Sequence, residues 1–159
     1  MTLPSTFPPQ SRVWIYQADR PFPEAAVPDI EAELRGFAQS WVSHNNQLRA
    51  TAKVLHNRFV VLMVDETQSG ASGCSIDKSV YFLKQLQAKY DVNLFDRMVF
   101  SYEKDGEVVT VPREEFVRRY KQGEINDSTM VFDTLLESKG AFEREWLKPL
   151  SESWHRRLV

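Results

Sequence analysis

The chain has 159 residues, of which 42% are hydrophobic and 26% charged, and its formal net charge is −2 at pH 7. This length suits one domain with a real core, and the composition is typical of globular proteins. Because a nearly neutral chain supplies no strong positive field, the composition argues against nucleic acid and anionic membranes as partners.

Cys74 is the only cysteine, so the chain can form neither an internal disulfide nor a multi-cysteine metal site. Residues 1–10 contain three prolines and lack the basic and apolar stretches of a signal peptide. No apolar run approaches the roughly 18 residues that cross a bilayer. We therefore predict a flexible tail at residues 1–10, a single α+β domain at residues 11–159, and a reducing, cytoplasmic location.

Strand and helix patterns alternate through residue 103. The first helix has apolar residues at helical spacing and acidic residues at its start. The two strands after it are separated only by His56 and Asn57, which suits a tight hairpin. In order, we predict a strand at 11–17, a helix with the stripe Ile30, Leu34, Phe37 and Trp41, strands at 48–55 and 58–65, a helix from about 76 to 90, and a strand at 97–103. This order predicts a ferredoxin-like split βαβ core, with both helices on one face of the sheet.

The C-terminal part predicts a β-hairpin and helical elaboration. Residues 107–111 follow a Lys-Asp-Gly turn, and residues 112–123 have the pattern of a short charged helix. A strand within 128–136 and a last helical turn complete the pattern. Because the central strands are apolar on both faces, the second face of the sheet must be covered. Either the apolar residues of the C-terminal third or a second subunit, in a homodimer, would cover it.

Residues 70–79, GASGCSIDKS, are the main candidate site. Small polar residues leave backbone N–H groups accessible at the start of the next helix, where a phosphate or carboxylate can bind. The pair Lys78 and Ser79 suggests a phosphate loop of the Walker type. That motif requires glycine where Asp77 and Ser72 stand, so nucleotide hydrolysis is not predicted. The predicted ligand-binding residues are Gly70, Ser72, Gly73, Ser75, Asp77, Lys78 and Ser79, with Trp41 and Asn45 from a facing turn.

Cys74 suggests a second, sharper hypothesis, because a thiol at the start of a helix is stabilised as the nucleophilic thiolate. The antiparallel third strand would bring Cys74 to the edge of the sheet that carries residues 43–47, where His44 could act as a base. The alternative is that Cys74 is a small buried side chain and Ser75 caps the helix. In that case His44 and Asn45 only end the preceding helix.

No metal or cofactor is predicted. Asp65 and Glu66 are adjacent carboxylates without a third ligand, which makes a poor metal site. The sequence therefore predicts binding of a small anionic ligand or a protein partner at residues 70–79. A thiol-dependent enzyme, with Cys74 as nucleophile and His44 as base, is the alternative.

Four segments carry a resemblance to a family of small uncharacterised bacterial proteins: RVWIYQ at 12–17, WVSH at 41–44, ASGCSIDKSV at 71–80 and SWH at 153–155. Members of this family are sometimes labelled as ABC-transporter ATPases. The sequence does not support that label, because the Walker motif fails and the chain is short for such a domain. The resemblance implies a family without an established activity, so it assigns no catalytic role to any residue.

Overall fold

The computed structural model describes residues 3–159, which form a mixed α+β fold. Its strands are β1 (Arg12–Gln17), β2 (Val42–Ser43), β3 (Asn46–Gln47), β4 (Arg49–Leu55), β5 (Phe59–Asp65), β6 (Val99–Lys104), β7 (Glu107–Pro112), β8 (Met130–Phe132) and β9 (Leu147–Pro149). Its helices are α1 (Val27–Ser40), α2 (Gly73–Tyr90), α3 (Arg113–Lys121) and α4 (Lys139–Glu145). None of the helices in this described part is long and apolar enough to cross a membrane.

The central sheet has the strand order β1-β5-β4, and both pairings are antiparallel. Every residue of β5 is buried, as its continuous apolar run predicts. The predicted tight turn between β4 and β5 is confirmed, since His56 and Asn57 have φ of 52° and 56°. These left-handed values suit asparagine, and Arg58 N–H donates to the Leu55 carbonyl at 3.1 Å, which closes a tight turn within the three-residue connection 56–58.

One face of the central sheet packs against the helices. Ile30 and Leu34 of α1 and Leu83 and Leu86 of α2 are buried in one cluster with residues of β4 and β5. Their spacing along each helix places them on one side, the side that faces the sheet. The helices therefore lie where the sequence pattern predicts them.

The ferredoxin-like strand order is not confirmed, because β6 does not pair with β1. Instead β6 lies in a second sheet with the order β7-β6-β8-β9, so both of its edges are occupied. β6 still approaches β1 through one side chain: Gln17 Nε2 donates to the Val99 carbonyl at 2.7 Å, and Ser101 Oγ donates to Gln17 Oε1 at 2.7 Å. Of the ferredoxin-like strand order, only the part β1-β5-β4 is present.

The second face of the central sheet is covered from within the chain. Phe59 and Met63 of β5 pack there against Phe132, Phe142 and Trp146 from the C-terminal third. The first of the two predicted ways to cover this face is therefore confirmed. A second subunit is not needed for that purpose.

Within residues 3–10, predicted as a flexible tail, two side chains pack against the fold. Leu3 and Phe7 are buried against the second face of the sheet. The buried Lys139 side chain donates to the Phe7 carbonyl at 2.7 Å, and the Arg49 guanidinium lies 4.4 Å from the centre of the Phe7 ring. Two apolar anchors thus outweigh the prolines, which restrict the backbone without preventing it from packing. Residues 1–2 of the predicted tail lie outside the described part.

Candidate functional site

The candidate segment ends in a capped helix start. Helix α2 begins at Gly73, three residues before the predicted start. Ser72 is the N-cap, because its Oγ accepts from Ser75 N–H at 3.2 Å while Ser75 Oγ accepts from Ser72 N–H at 2.7 Å. This reciprocal capping box satisfies two donors that a helix otherwise leaves open. The prediction that Ser75 is the cap is wrong, since the serine three residues earlier completes the box.

Most of the backbone donors around this helix start are already paired. Ala71 N–H donates to Glu66 Oε2 at 2.8 Å, and Ile76 N–H donates to the Ser72 carbonyl at 2.9 Å. Gly70 allows the Glu66 carboxylate to approach, because a Cβ there would lie 3.0 Å from Glu66 Oε2. The chain therefore binds its own carboxylate at one end of the segment.

Two donors remain. Within residues 3–159, the N–H groups of Gly73 and Cys74 have no hydrogen-bond partner, and both residues are exposed. They occupy the first two positions of an 18-residue helix. Backbone N–H groups in the first turn have no partner inside the helix, and the helix dipole makes this end positive. The exposed helix start can therefore accept an anion at these two groups.

Cys74 is an exposed free thiol, so its interpretation as a small buried side chain is wrong. Lys78 and Asp77, about one turn further on, are also exposed. Ser79 is buried, and its hydroxyl donates to the Ile76 carbonyl at 2.6 Å. Of the predicted binding serines, Ser75 and Ser79 therefore bond within the helix, and the exposed surface is formed by their neighbours.

The facing turn meets the start of α2, as the predicted topology requires. Trp41 is buried, and its Nε1 donates to the Ser75 carbonyl at 2.8 Å. Strands β2 and β3 form a small hairpin whose turn residues His44 and Asn45 have φ of 50° and 66°. These two residues are exposed and do more than end a helix. In the described part of the chain, no hydrogen bond joins His44 to Cys74.

The adjacent acidic residues Asp65 and Glu66, at the end of β5, make separate structural contacts. Asp65 is buried, pairs with Arg49 Nη1 and accepts from Thr67 N–H at 3.1 Å. These contacts, the Thr67 bond first, lower the pKa of the Asp65 carboxyl. Glu66 turns the other way, to Ala71. Among residues 3–159, no group of three His, Cys, Asp or Glu side chains is arranged to hold a metal ion.

Sequence reasoning missed a groove beside β1. It has a volume of about 330 Å³ and is lined by β1, residues 94–97 and residues 134–137. The ferredoxin-like prediction placed a strand at this edge of the sheet. Only the separate pairing of β6, which no local pattern indicates, leaves the edge open.

No protein-family model, curated protein or solved structure matches the chain. The family resemblance therefore stays a prediction.

Proposed function

We propose that the protein binds a small anionic ligand at the first turn of α2. The observation that carries this proposal is the pair of exposed N–H groups of Gly73 and Cys74, which have no partner in the described residues although their neighbours are paired. Two adjacent donors at the positive end of a long helix suit the oxygens of a phosphate or carboxylate. Lys78 is exposed on the next turn, and within residues 3–159 it forms no ion pair.

The surrounding charges favour a compact anion over a polyanion. Asp77 is exposed beside Lys78, and the Glu66 carboxylate lies at the other end of the segment. Both would repel the extra charges of a nucleoside triphosphate. A further polar group lies in the strand that contacts α2: Ser43 Oγ is buried and, in the described part, has no hydrogen-bond partner. We therefore propose a ligand with a single phosphate or carboxylate group.

Substitutions of Gly73 test whether its backbone N–H binds the anion. Gly73→Pro removes one of the two donors while respecting the helix, because proline is favoured at the first helical position. The preceding Ser72 has φ −102° and ψ 169°, an extended conformation that proline tolerates in its neighbour. Gly73→Ala is the matched control, since it keeps the N–H and its Cβ meets no atom within 4 Å.

We expect inorganic phosphate, titrated into ¹⁵N-labelled protein, to shift the Gly73 and Cys74 amide resonances of the wild type. Gly73→Pro should weaken binding at least tenfold, as judged from the Cys74 resonance, and Gly73→Ala should stay within about twofold, because only the former loses a charge-assisted hydrogen bond. Equal affinity of the two variants, or shifts spread evenly over the surface, would contradict the proposal.

The exposure of Cys74 keeps the thiol-dependent enzyme as a second candidate. If His44 activates the thiol, His44→Ala should slow alkylation by iodoacetamide at pH 7, because the thiolate is the reacting form. Under the binding proposal we expect the rate to change by less than about twofold. A tenfold or larger loss, absent in the control Asn45→Ala, would favour the enzyme.

The proposal also includes a cytoplasmic location. An exposed thiol without a disulfide partner in the chain suits a reducing compartment. Membership of the family of small bacterial proteins with the ASGCSIDKS segment is likewise part of the proposal, supported by the four matching segments.

A further inference from the structure

The groove beside β1 exposes a strand edge. β5 pairs along one side of β1. On the other side only the start of β1 is paired, where Val13 N–H donates to the Glu137 carbonyl at 3.0 Å. Alternate residues of a strand direct their backbone groups to the same edge. The N–H and C=O of Ile15 therefore point into the groove, and no described residue pairs with them.

The groove also has apolar walls. Tyr16, Phe95 and Leu136 line it, and each is partly buried. Leu135 lines it as well, although this residue is 65% exposed. The exposed Leu135 side chain offers apolar contact, and the unpaired edge of β1 offers backbone hydrogen bonds. One ligand can use both. An extended polypeptide offers the same two kinds of group.

Charges of opposite sign mark the two ends of the groove. Glu137 lies beside Val13 at the start of β1, and Arg97 lies close enough to Tyr16, near the end of β1, to influence its ionisation. Both line the groove, and within residues 3–159 neither forms an ion pair. Asp96 also lines the groove, and its carboxylate accepts from Met98 N–H at 2.8 Å in a turn. A complementary ligand therefore carries a basic group at one end and an acidic group at the other.

The shape of the groove selects a single strand over a second copy of the folded chain. The free edge of β1 is recessed between residues 94–100 on one side and residues 134–137 on the other. A neighbouring strand must come within about 4.8 Å of β1, and residues 94–97 and 134–137 flank the space that it would occupy. A single extended segment needs less room there than the edge of a folded sheet. The unpaired part of the edge, residues 14–17, spans about 10 Å at roughly 3.3 Å per residue, enough for about four residues of peptide, and a fifth would lie beside Glu137, whose carbonyl already pairs with Val13.

We propose that this groove binds an extended segment of a partner protein, which adds a strand to the free edge of β1. The segment has apolar residues at its centre, a basic residue opposite Glu137 and an acidic residue opposite Arg97. In the antiparallel orientation the acidic residue comes first in the segment and the basic residue last. This site is separate from the anion site at the start of α2.

The blocked peptide Ac-Asp-Val-Thr-Val-Lys-NH₂ is a suitable probe, because its central threonine would lie opposite Ile15. Titrated into ¹⁵N-labelled protein, it should shift the Ile15 and Gln17 amide resonances saturably and slow hydrogen exchange at Ile15. The same peptide with an N-methylated threonine cannot donate to the Ile15 carbonyl, and should bind at least tenfold more weakly.

Two protein variants separate the groove from the rest of the surface. Leu135→Glu should weaken peptide binding at least tenfold. Tyr81→Glu alters an equally exposed residue on α2, at 66% against 65%, and should change the affinity by less than twofold. Gly73→Pro should leave peptide binding unchanged, so failure of the anion site would not affect this test.

Absence of saturable shifts at Ile15 and Gln17 up to millimolar peptide would overturn the proposal. Equal binding of the N-methylated peptide would also overturn it, because backbone pairing would then play no part. A concentration-dependent dimer that forms without peptide and is lost in Leu135→Glu, measured by sedimentation, would replace the partner segment with a second copy of the chain.

Discussion

Phe59→Ala is expected to lower the free energy of unfolding by about 3–5 kcal/mol, the range for a phenylalanine truncated in a core. Phe59 is 0% exposed. Its ring centre lies 5.3 Å from that of Phe132 and 4.8 Å from that of Trp146, both from the segment that covers the second face of the sheet. The truncation therefore leaves a cavity between the sheet and its cover.

Urea denaturation followed by tryptophan fluorescence at pH 7 measures this change. Tyr81→Ala is the control, because its aromatic side chain is 66% exposed and its loss should cost less than about 0.5 kcal/mol. If Phe59→Ala also cost less than 1 kcal/mol, the second face of the sheet would not form a tightly packed core. The interpretation that the C-terminal third completes the fold would then fail.

The sequence predicts local structure well where one residue pattern has one physical outcome. A continuous apolar run such as that of β5 must be buried on both faces, which predicts both the strand and the need for a cover. Asp105 and Gly106 have φ of 53° and 80°, the values that their residue types favour in the predicted hairpin turn. These outcomes depend only on nearby residues.

Pairing between distant strands is less predictable. The pattern of residues 97–103 identifies a strand, but it contains no information on which neighbour that strand selects. β6 pairs with β7 and β8, and among residues 3–159 its hydrogen bonds to β1 are made by the Gln17 side chain. The groove was missed for the same reason. The N-terminal segment shows a related limit, since composition reveals its prolines but not the pocket that Phe7 fills.

The candidate site was predicted in part. Small polar residues before a helix predict accessible backbone donors, but the capping box decides which donors remain open. Ser72 is the cap, and α2 therefore begins early enough to leave Gly73 and Cys74 in its first turn. The sequence alone does not decide whether Ser72 or Ser75 is the N-cap, because the start of the helix also depends on its tertiary contacts. One such contact is the hydrogen bond from Trp41 to the Ser75 carbonyl.

His155 is expected to make the protein less stable as the pH falls from about 6.5 to about 4. It is 0% exposed, and burial lowers its pKa from 6.5 to about 4. Its ring stacks on Trp154 at 3.8 Å, and its Nδ1 lies 2.6 Å from Ser153 Oγ. Its Nε2 is buried and, in the described residues, has no hydrogen-bond partner. A proton on this ring would therefore place an unpaired charge in the core.

The sign of the effect follows from linkage. Above the unfolded-state pKa of about 6.5, neither state binds the proton and the full stability is present. Between that value and the folded pKa of about 4, only the unfolded state binds it, so the free energy of unfolding decreases with pH. At about 1.4 kcal/mol per pKa unit, the loss amounts to roughly 3 kcal/mol. Asp133 also has a lowered pKa, because bonds from Lys148 and Trp154 outweigh its burial. Protonation of Asp133 would lower the free energy of unfolding only below this pH window, since the ordinary pKa of its carboxyl is 3.8.

Urea denaturation of wild type and His155→Phe between pH 7 and pH 4.5 tests this assignment. Phenylalanine keeps an aromatic ring between Trp154 and Phe116 but cannot bind a proton, so the loss of stability across this window should decrease by most of the roughly 3 kcal/mol assigned to His155. His44→Asn is the control, because His44 is exposed and asparagine tolerates its left-handed backbone, with φ of 50°. His56 is present in all three proteins and does not affect the comparison. A slope in His155→Phe as steep as that of the wild type would assign the acid sensitivity to another group, such as His56, whose pKa burial also lowers. It would mean that the His155 ring binds its proton equally in the folded and unfolded states.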